Sequence, residues 1–198
     1  MLNYLLLAQI IFIFLLIPRY VEPVVIEDLV TDRECDHILA QADKKFKPST
    51  VAQNKILDHK TRQSQTAWLD PRTDDVIKRV MSKCLKYVDR PIQNVEMLSV
   101  LKYTPGGFYK PHQDAFEGDN NHRMYTFIIG LNDESEYEGG STHFPRLDKK
   151  YRLKRGDVLF FHNLDNYELV CGKSLHCGEP VTKGTKYIAN VWVRKYPY

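Results

Sequence analysis

Near Val95 the spacing of apolar residues changes from helical intervals to short runs, and helical patterning does not return before the C-terminus. Downstream come VEMLSVLKY, FYKPHQD, MYTFIIGL, STHFP, DVLFFHN, LVCGKSLH and YIANVWVRK, β-branched and aromatic segments separated by Gly, Pro, Asn and Asp. Upstream, TDRECDHILAQADKKF opens with Thr31 and Glu34 at capping-box spacing and sets Cys35, Ile38, Leu39, Ala42 and Phe46 at helical intervals. DPRTDDVIKRVMSKCLKYV predicts a second helix, with Pro71 near its start and Val76, Ile77, Val80, Cys84, Leu85 and Val88 on one side. Residues 47–66 are polar and lack either period, which predicts a long loop of the kind that covers a site. Two helices followed by many short strands predict an α+β domain. Its strands should close into a sandwich or jelly roll, with the N-terminal helices packed on one outer face.

A chain of 198 residues suits one domain with a sizeable core. Residues 1–17 are apolar apart from Asn3, Tyr4 and Gln9, and Arg19 is the first charged side chain. They predict a single-pass membrane anchor over residues 1–19 and a globular unit over 20–198. IPRYVEP lacks the small residues a signal peptidase needs, which favours retention. Arg19 on the C-terminal side of the run biases the globular unit toward the cytoplasm. The net charge of +3 is mild, and the basic clusters around Lys44 and Lys149 are interrupted by apolar or aromatic positions. They read as solvated faces, and no nucleic-acid partner is expected. The four cysteines have no C-x-x-C spacing, so a zinc site is not indicated. Cys35 and Cys84 fall on helical apolar stripes, where a buried thiol is common, and pairing is left open.

His112 and Asp114 stand two apart at the end of a predicted strand, so their side chains share a face. An H-x-D triplet alone is weak, since a His and an Asp sharing a surface hydrogen bond is the commoner case. His176, on a later segment, supplies a third ligand. Two imidazoles and a carboxylate form the facial triad that suits non-haem Fe(II), with three coordination positions open. Lys186 opens a strongly apolar strand, where an unpaired charge is costly. An ammonium there could pair with the distal carboxylate of 2-oxoglutarate while the other end chelates the metal.

Taken in order, YTPGGFYKPHQD, the strand beginning at Arg123, EGGSTHFP, KRGDVLFF, SLHCGEPV and GTKYIANVWV resemble the prolyl 4-hydroxylase family of Fe(II)- and 2-oxoglutarate-dependent oxygenases. The match runs from about Thr31 to Arg194. The resemblance implies a double-stranded β-helix (jelly-roll) core, with His112, Asp114 and His176 as iron ligands and Lys186 as cosubstrate anchor. It implies that Tyr103 hydrogen-bonds the cosubstrate, with Thr126 a further candidate. The implied reaction is hydroxylation of peptidyl proline with conversion of 2-oxoglutarate to succinate and CO2. Fe(II), 2-oxoglutarate, O2 and L-ascorbate would be the cofactors, and a proline-containing peptide or protein the partner. The resemblance also implies an endoplasmic-reticulum enzyme with a lumenal catalytic domain, against the charge bias at Arg19.

For substrate, Arg62 and Ser64 match an Arg-x-Ser element in a mobile covering segment of the family, and Arg123 is similar to an arginine assigned to substrate binding. Tyr109 and Trp192 could stack on a prolyl ring, although Trp192 reads equally well as a core aromatic of the last strand. Arg194 stands where several relatives place a His, and would bias the peptide toward acidic positions. Gly130 stands where many relatives carry a Tyr, which predicts a missing hydroxyl and an enlarged pocket. Two other readings remain: the same chemistry on a lysyl side chain, nucleobase or small molecule, and a non-catalytic membrane-tethered jelly-roll binding module. Nucleic-acid demethylases of this fold anchor the cosubstrate through arginine where Lys186 stands, and a binding module has no need of three metal ligands beside a buried charge.

Overall fold

A computed structural model describes residues 17–51 and 56–198. The Thr31 hydroxyl accepts the Glu34 N–H, the Glu34 carboxylate accepts the Thr31 N–H, and this box opens helix α1 (Asp32–Ala42). Glu34 is buried because the same carboxylate also takes Arg79 and Lys83 from helix α2 (Asp75–Cys84), tying the two helices together. Helix α2 starts later than Pro71 suggests. Asp74 caps it by accepting the N–H groups of Val76 and Ile77, while Pro71 lies in the preceding turn.

Among the described residues the strands pair antiparallel. The larger sheet runs in the order β1 (Val24–Ile26), β11 (Val158–His162), β7 (Arg123–Gly130), β14 (Lys186–Arg194), β5 (Leu98–Tyr103), β4 (Gln65–Leu69) and β2 (Lys47–Pro48). The smaller runs β10 (Lys149–Tyr151), β9 (Thr142–Phe144), β12 (His176–Gly178), β6 (Phe108–His112) and β3 (Arg62–Gln63), and β8 (Tyr137–Gly139) pairs separately with β13 (Val181–Gly184). The long runs in β7, β11 and β14 lack polar alternation because both faces of the larger sheet are covered. Phe127, Ile129, Val158, Ala189 and Val191 pack in one cluster with Cys35 and Ile38 of α1 and Ile77 and Met81 of α2. Their neighbours Ile128, Leu159, Phe161 and Ile188 turn to the opposite face, against Phe144 of the smaller sheet. The two sheets thus enclose a second, smaller core, at whose edge the chemistry-bearing residues gather.

Two expectations change. Residues 47–66 are not loop throughout, since β2, β3 and the start of β4 lie in that stretch, and Ser49 N–H bonds the Ser64 carbonyl. LVCGKSLH contributes a single bridge, Leu164 to Val170, and a 3-10 turn over Gly172–Ser174 before β12 begins at His176. The Ser174 hydroxyl donates to the carbonyls of Cys171 and Asn163, which holds that turn out of strand pairing. All four cysteines are free thiols, and burial pushes Cys84 up to about 12. The expected anchor over 1–19 lies, for residues 1–16, outside the described residues, and no helix of the described residues is long and apolar enough to cross a membrane. The segment that follows is fastened to the domain by the Tyr20 hydroxyl, which donates to the His162 carbonyl at 2.9 Å.

Candidate active site

His112 ends β6, and antiparallel pairing with β12 sets it directly opposite His176. Each imidazole Nδ1 sits at 2.9–3.0 Å from a backbone carbonyl, that of Lys110 for His112 and that of Ser174 for His176. A carbonyl only accepts, so Nδ1 carries the proton and the Nε2 lone pair of each ring is left free. Both Nε2 atoms face Asp114, at 3.8 Å from Oδ1 for His112 and 4.0 Å from Oδ2 for His176. One ligand atom from each of the three residues lies within 4.8 Å of the others. Burial, then His176, push His112 down to about 3. Burial alone would raise Asp114, but the two imidazoles, Arg123 and the Thr126 hydroxyl outweigh it and bring it down to about 2. A neutral imidazole and an ionised carboxylate are the states a divalent cation requires, and the donor set fits Fe(II).

Asp114 is held on one side only. Its Oδ2 accepts the Thr126 hydroxyl at 2.7 Å and the Trp192 indole N–H at 2.9 Å, which leaves Oδ1 turned toward His112. Thr126 in turn accepts the Asn163 amide at 2.9 Å. The Trp192 ring lies under the Arg123 guanidinium, 3.8 Å from its centroid. Arg123 is fixed by two bonds to the buried carboxylate of Glu96, at 2.6 and 2.8 Å, and Arg194 shares that carboxylate at 2.8 Å.

Lys186 faces Tyr103 across the β14–β5 ladder, and both line the pocket that reaches His112 and His176. Its ammonium is buried and donates to the Gly140 carbonyl at 2.5 Å. No carboxylate among the described residues pairs with it, and burial lowers it to about 8, with Arg152 adding to the shift. Gly140 has φ +66°, and a Cβ there would come within 3.2 Å of Lys186 Cδ, so a side chain at this position would be strained and would crowd the lysine stem. A buried cation short of a counter-charge, beside two free imidazole nitrogens, fits a ligand with a carboxylate at its far end.

Several expected substrate contacts have other duties. Thr126 is fully buried and its hydroxyl is taken by Asp114 and Asn163, so it offers nothing to a cosubstrate. Arg123 is committed to Glu96, and Arg194 to Glu96, Asp119 and the Asn121 carbonyl. Trp192 is 6% exposed and works from behind Asp114, whereas Trp68, packed against it, is 45% exposed. Arg62, Ser64 and Tyr109 do gather near the mouth. Arg62 donates to Ser64 Oγ and lies over the Tyr109 ring, which stacks on His112 at 3.6 Å. Gly130 does not enlarge the pocket: a Cβ there would collide with the Lys154 carbonyl oxygen and Leu153.

Sequence reasoning missed Asn190, Thr142, Glu96 and Trp68. Asn190 shares a face of β14 with Lys186, Ile188 and Trp192, a period-two pattern open to reading, and its buried Oδ1 has no partner among the described residues. Glu96 was visible as a lone carboxylate inside an apolar run, which calls for a buried cation.

Residues 98–194 match the family model described as the 2OG-Fe(II) oxygenase superfamily. A protein of Acanthamoeba polyphaga mimivirus named "Putative prolyl 4-hydroxylase" is 33% identical, over 89% of this chain and 75% of its own length. Prolyl 4-hydroxylase 13 of Arabidopsis thaliana is 30% identical, over 86% of this chain and 70% of its own. The crystal structure of the viral collagen prolyl hydroxylase from Paramecium Bursaria Chlorella virus-1, in a 2OG complex, superposes with a TM-score of 0.72 at 30% identity, covering 90% of this chain and 97% of that one.

Proposed function

The chain belongs to the prolyl 4-hydroxylase family of Fe(II)- and 2-oxoglutarate-dependent oxygenases, and from that premise we propose that it hydroxylates prolyl residues in peptides. The observation that carries the reading is the convergence of two free imidazole nitrogens and one free carboxylate oxygen beside a buried ammonium without a counter-charge. His112, Asp114 and His176 would hold the metal, and Lys186, with Tyr103 beside it, the distal carboxylate of 2-oxoglutarate. Bound Fe(II) supplies the oxidative decarboxylation of 2-oxoglutarate by O2 to succinate and CO2, coupled to conversion of a substrate C–H bond to C–OH.

The chain's own share is positioning. Lys110 and Ser174 carbonyls fix the tautomers of the two imidazoles, and Thr126 with Trp192 limits Asp114 to one free oxygen. Asp114 would complete a two-imidazole, one-carboxylate donor set, the combination that suits non-haem Fe(II) oxygenation. Tyr109, Arg62 and Trp68 form the mouth where a peptide carrying a prolyl ring could lie, the two rings offering stacking faces. The two facing sheets, with α1 and α2 behind the larger, correspond in this reading to the family's double-stranded β-helix. L-ascorbate serves as the reductant that maintains Fe(II). Residues 1–19 serve as a single-pass anchor for the catalytic unit 20–198, with a lumenal endoplasmic-reticulum setting; protease protection of the full chain in microsomes tests that placement.

The test is mass spectrometry of a proline-containing peptide library incubated with the full-length chain, Fe(II), 2-oxoglutarate and ascorbate. Peptides gaining one oxygen on proline support the reading. Oxygen gained on lysine alone, or on no peptide while 2-oxoglutarate is consumed, contradicts it.

A further inference from the structure

A groove of about 540 Å³ lies beside the pocket that reaches His112 and His176, the two sharing Arg62 and Trp192 as lining residues. Its walls carry Lys44, Lys45, Lys47 and Trp68, and no carboxylate lines it. The three lysines are exposed and form no ion pair among the described residues. Arg62 spends its N–H groups on the Ser64 hydroxyl and the Thr50 carbonyl, so its charge is also unmatched.

Some surface cations elsewhere are paired. Lys149 has Glu22, Lys150 has Glu179, Lys183 has Glu138, Lys195 has Glu168, and Arg155 has both Asp32 and Asp36. Others, such as Lys60, Lys78, Lys110 and Lys173, form no ion pair among the described residues, so what sets Lys44, Lys45, Lys47 and Arg62 apart is that they share one groove without a carboxylate. Four unmatched cations around one groove repel each other, and an incoming anion relieves that repulsion. Trp68 stands among them with nearly half its surface in solvent, although Ala67 and Leu69 on either side are buried. An exposed indole beside clustered cations offers a peptide an apolar platform next to charge.

Resting on the prolyl reading above, we propose that this groove receives acidic side chains flanking the target proline, so that the preferred substrates carry Glu or Asp within a few residues of it. The bias that the sequence suggested for Arg194 is thereby moved to other residues, because Arg194 is already neutralised by Glu96 and Asp119. Exposed pairs are individually weak, and several acting together shift peptide affinity by about tenfold at low salt, with the preference fading as salt is raised.

The experiment uses the full-length chain and three fluorescein-labelled peptides in which proline is flanked by Glu, Gln or Lys. Kd is read by anisotropy at low and high salt, and KM from hydroxyproline formation. The expected result is an order of Glu before Gln before Lys, about tenfold from first to last at low salt. In the triple variant Lys44→Glu, Lys45→Glu, Lys47→Glu the order inverts, and the gain for the Lys-flanked peptide shows that the variant is folded. Equal Kd and KM for all three peptides, with hydroxyproline still formed, overturns the groove and leaves the prolyl reading standing. Tighter binding of a single-stranded DNA oligonucleotide than of the Glu-flanked peptide also overturns it, reassigning the cations to phosphate. Hydroxyproline in none of the peptides, with 2-oxoglutarate still consumed, fails the prolyl reading and removes the basis of this one.

Discussion

The indole N–H of Trp192 donates to Asp114 Oδ2 at 2.9 Å, so β14 orients the one carboxylate of the His112, Asp114 and His176 trio that could hold a metal ion. Trp192→Phe keeps the ring over which Arg123 lies and removes the donor. Metal affinity should fall about tenfold or more, the usual scale for losing a partner of a ligating carboxylate. Anaerobic Fe(II) titration of the two proteins measures it, with circular dichroism expected to be unchanged. Equal affinity would mean that Thr126 alone suffices to orient Asp114.

Lys186 is the cosubstrate's proposed counter-charge, and its burial lowers it to about 8. The ammonium is charged below that value and lost above it. In a profile of kcat/KM for 2-oxoglutarate, which reports the free enzyme, activity should hold below pH 8 and fall about tenfold per unit above it. Lys186→Met removes a buried charge that has no carboxylate partner, so thermal stability should not drop while 2-oxoglutarate binding is lost. A melting temperature lowered together with binding would assign Lys186 a structural role.

Glu96 is 3% exposed and carries both Arg123 and Arg194. Glu96→Ala strands Arg123 without a carboxylate in a largely buried position. Urea unfolding should show a loss of about 3–5 kcal/mol, the range for breaking one partner out of a buried ion pair. Arg194→Ala should cost less, since the Glu96–Arg123 pair survives it.

At Gly130 the surroundings leave no room for the tyrosine with which the resemblance compares it. Gly130→Tyr drives a Cβ into the Lys154 carbonyl oxygen, and the strand pair Gly130 forms with Ile188 leaves little room to yield. Overpacking of this kind costs about 1–3 kcal/mol and more where backbone must move. A lower melting temperature and poorer soluble yield are expected; a variant as stable as the parent would show that the 153–154 segment can give way.

Helix α1, the pair His112 and Asp114, and Lys186 each leave a local mark in the sequence, a capping box, an H-x-D triplet and a charge opening an apolar strand, whereas His176 has no mark of its own and becomes legible only through the ordered set of motifs. What was not legible depended on long-range pairing. Trp192 could be a stacking platform or a core ring on periodicity alone, and only its contacts with Asp114 and Arg123 decide between them. Arg123 and Arg194 looked free because their shared partner, Glu96, lies far back in the chain. The cationic groove escaped for the opposite reason, since a run of lysines next to Phe46 reads as a solvated face until the fold sets Arg62, Trp68 and Trp192 around it.

Oxygen transfer to peptidyl proline is measured by running the reaction under 18O2 with a proline peptide, 2-oxoglutarate and Fe(II). The expected result is one 18O atom in hydroxyproline, succinate formed in equal amount, and loss of both in His112→Ala, Asp114→Ala and His176→Ala. Succinate without labelled hydroxyproline, or labelled hydroxyproline from an Asp114→Ala or His176→Ala protein at the parent rate, would contradict it.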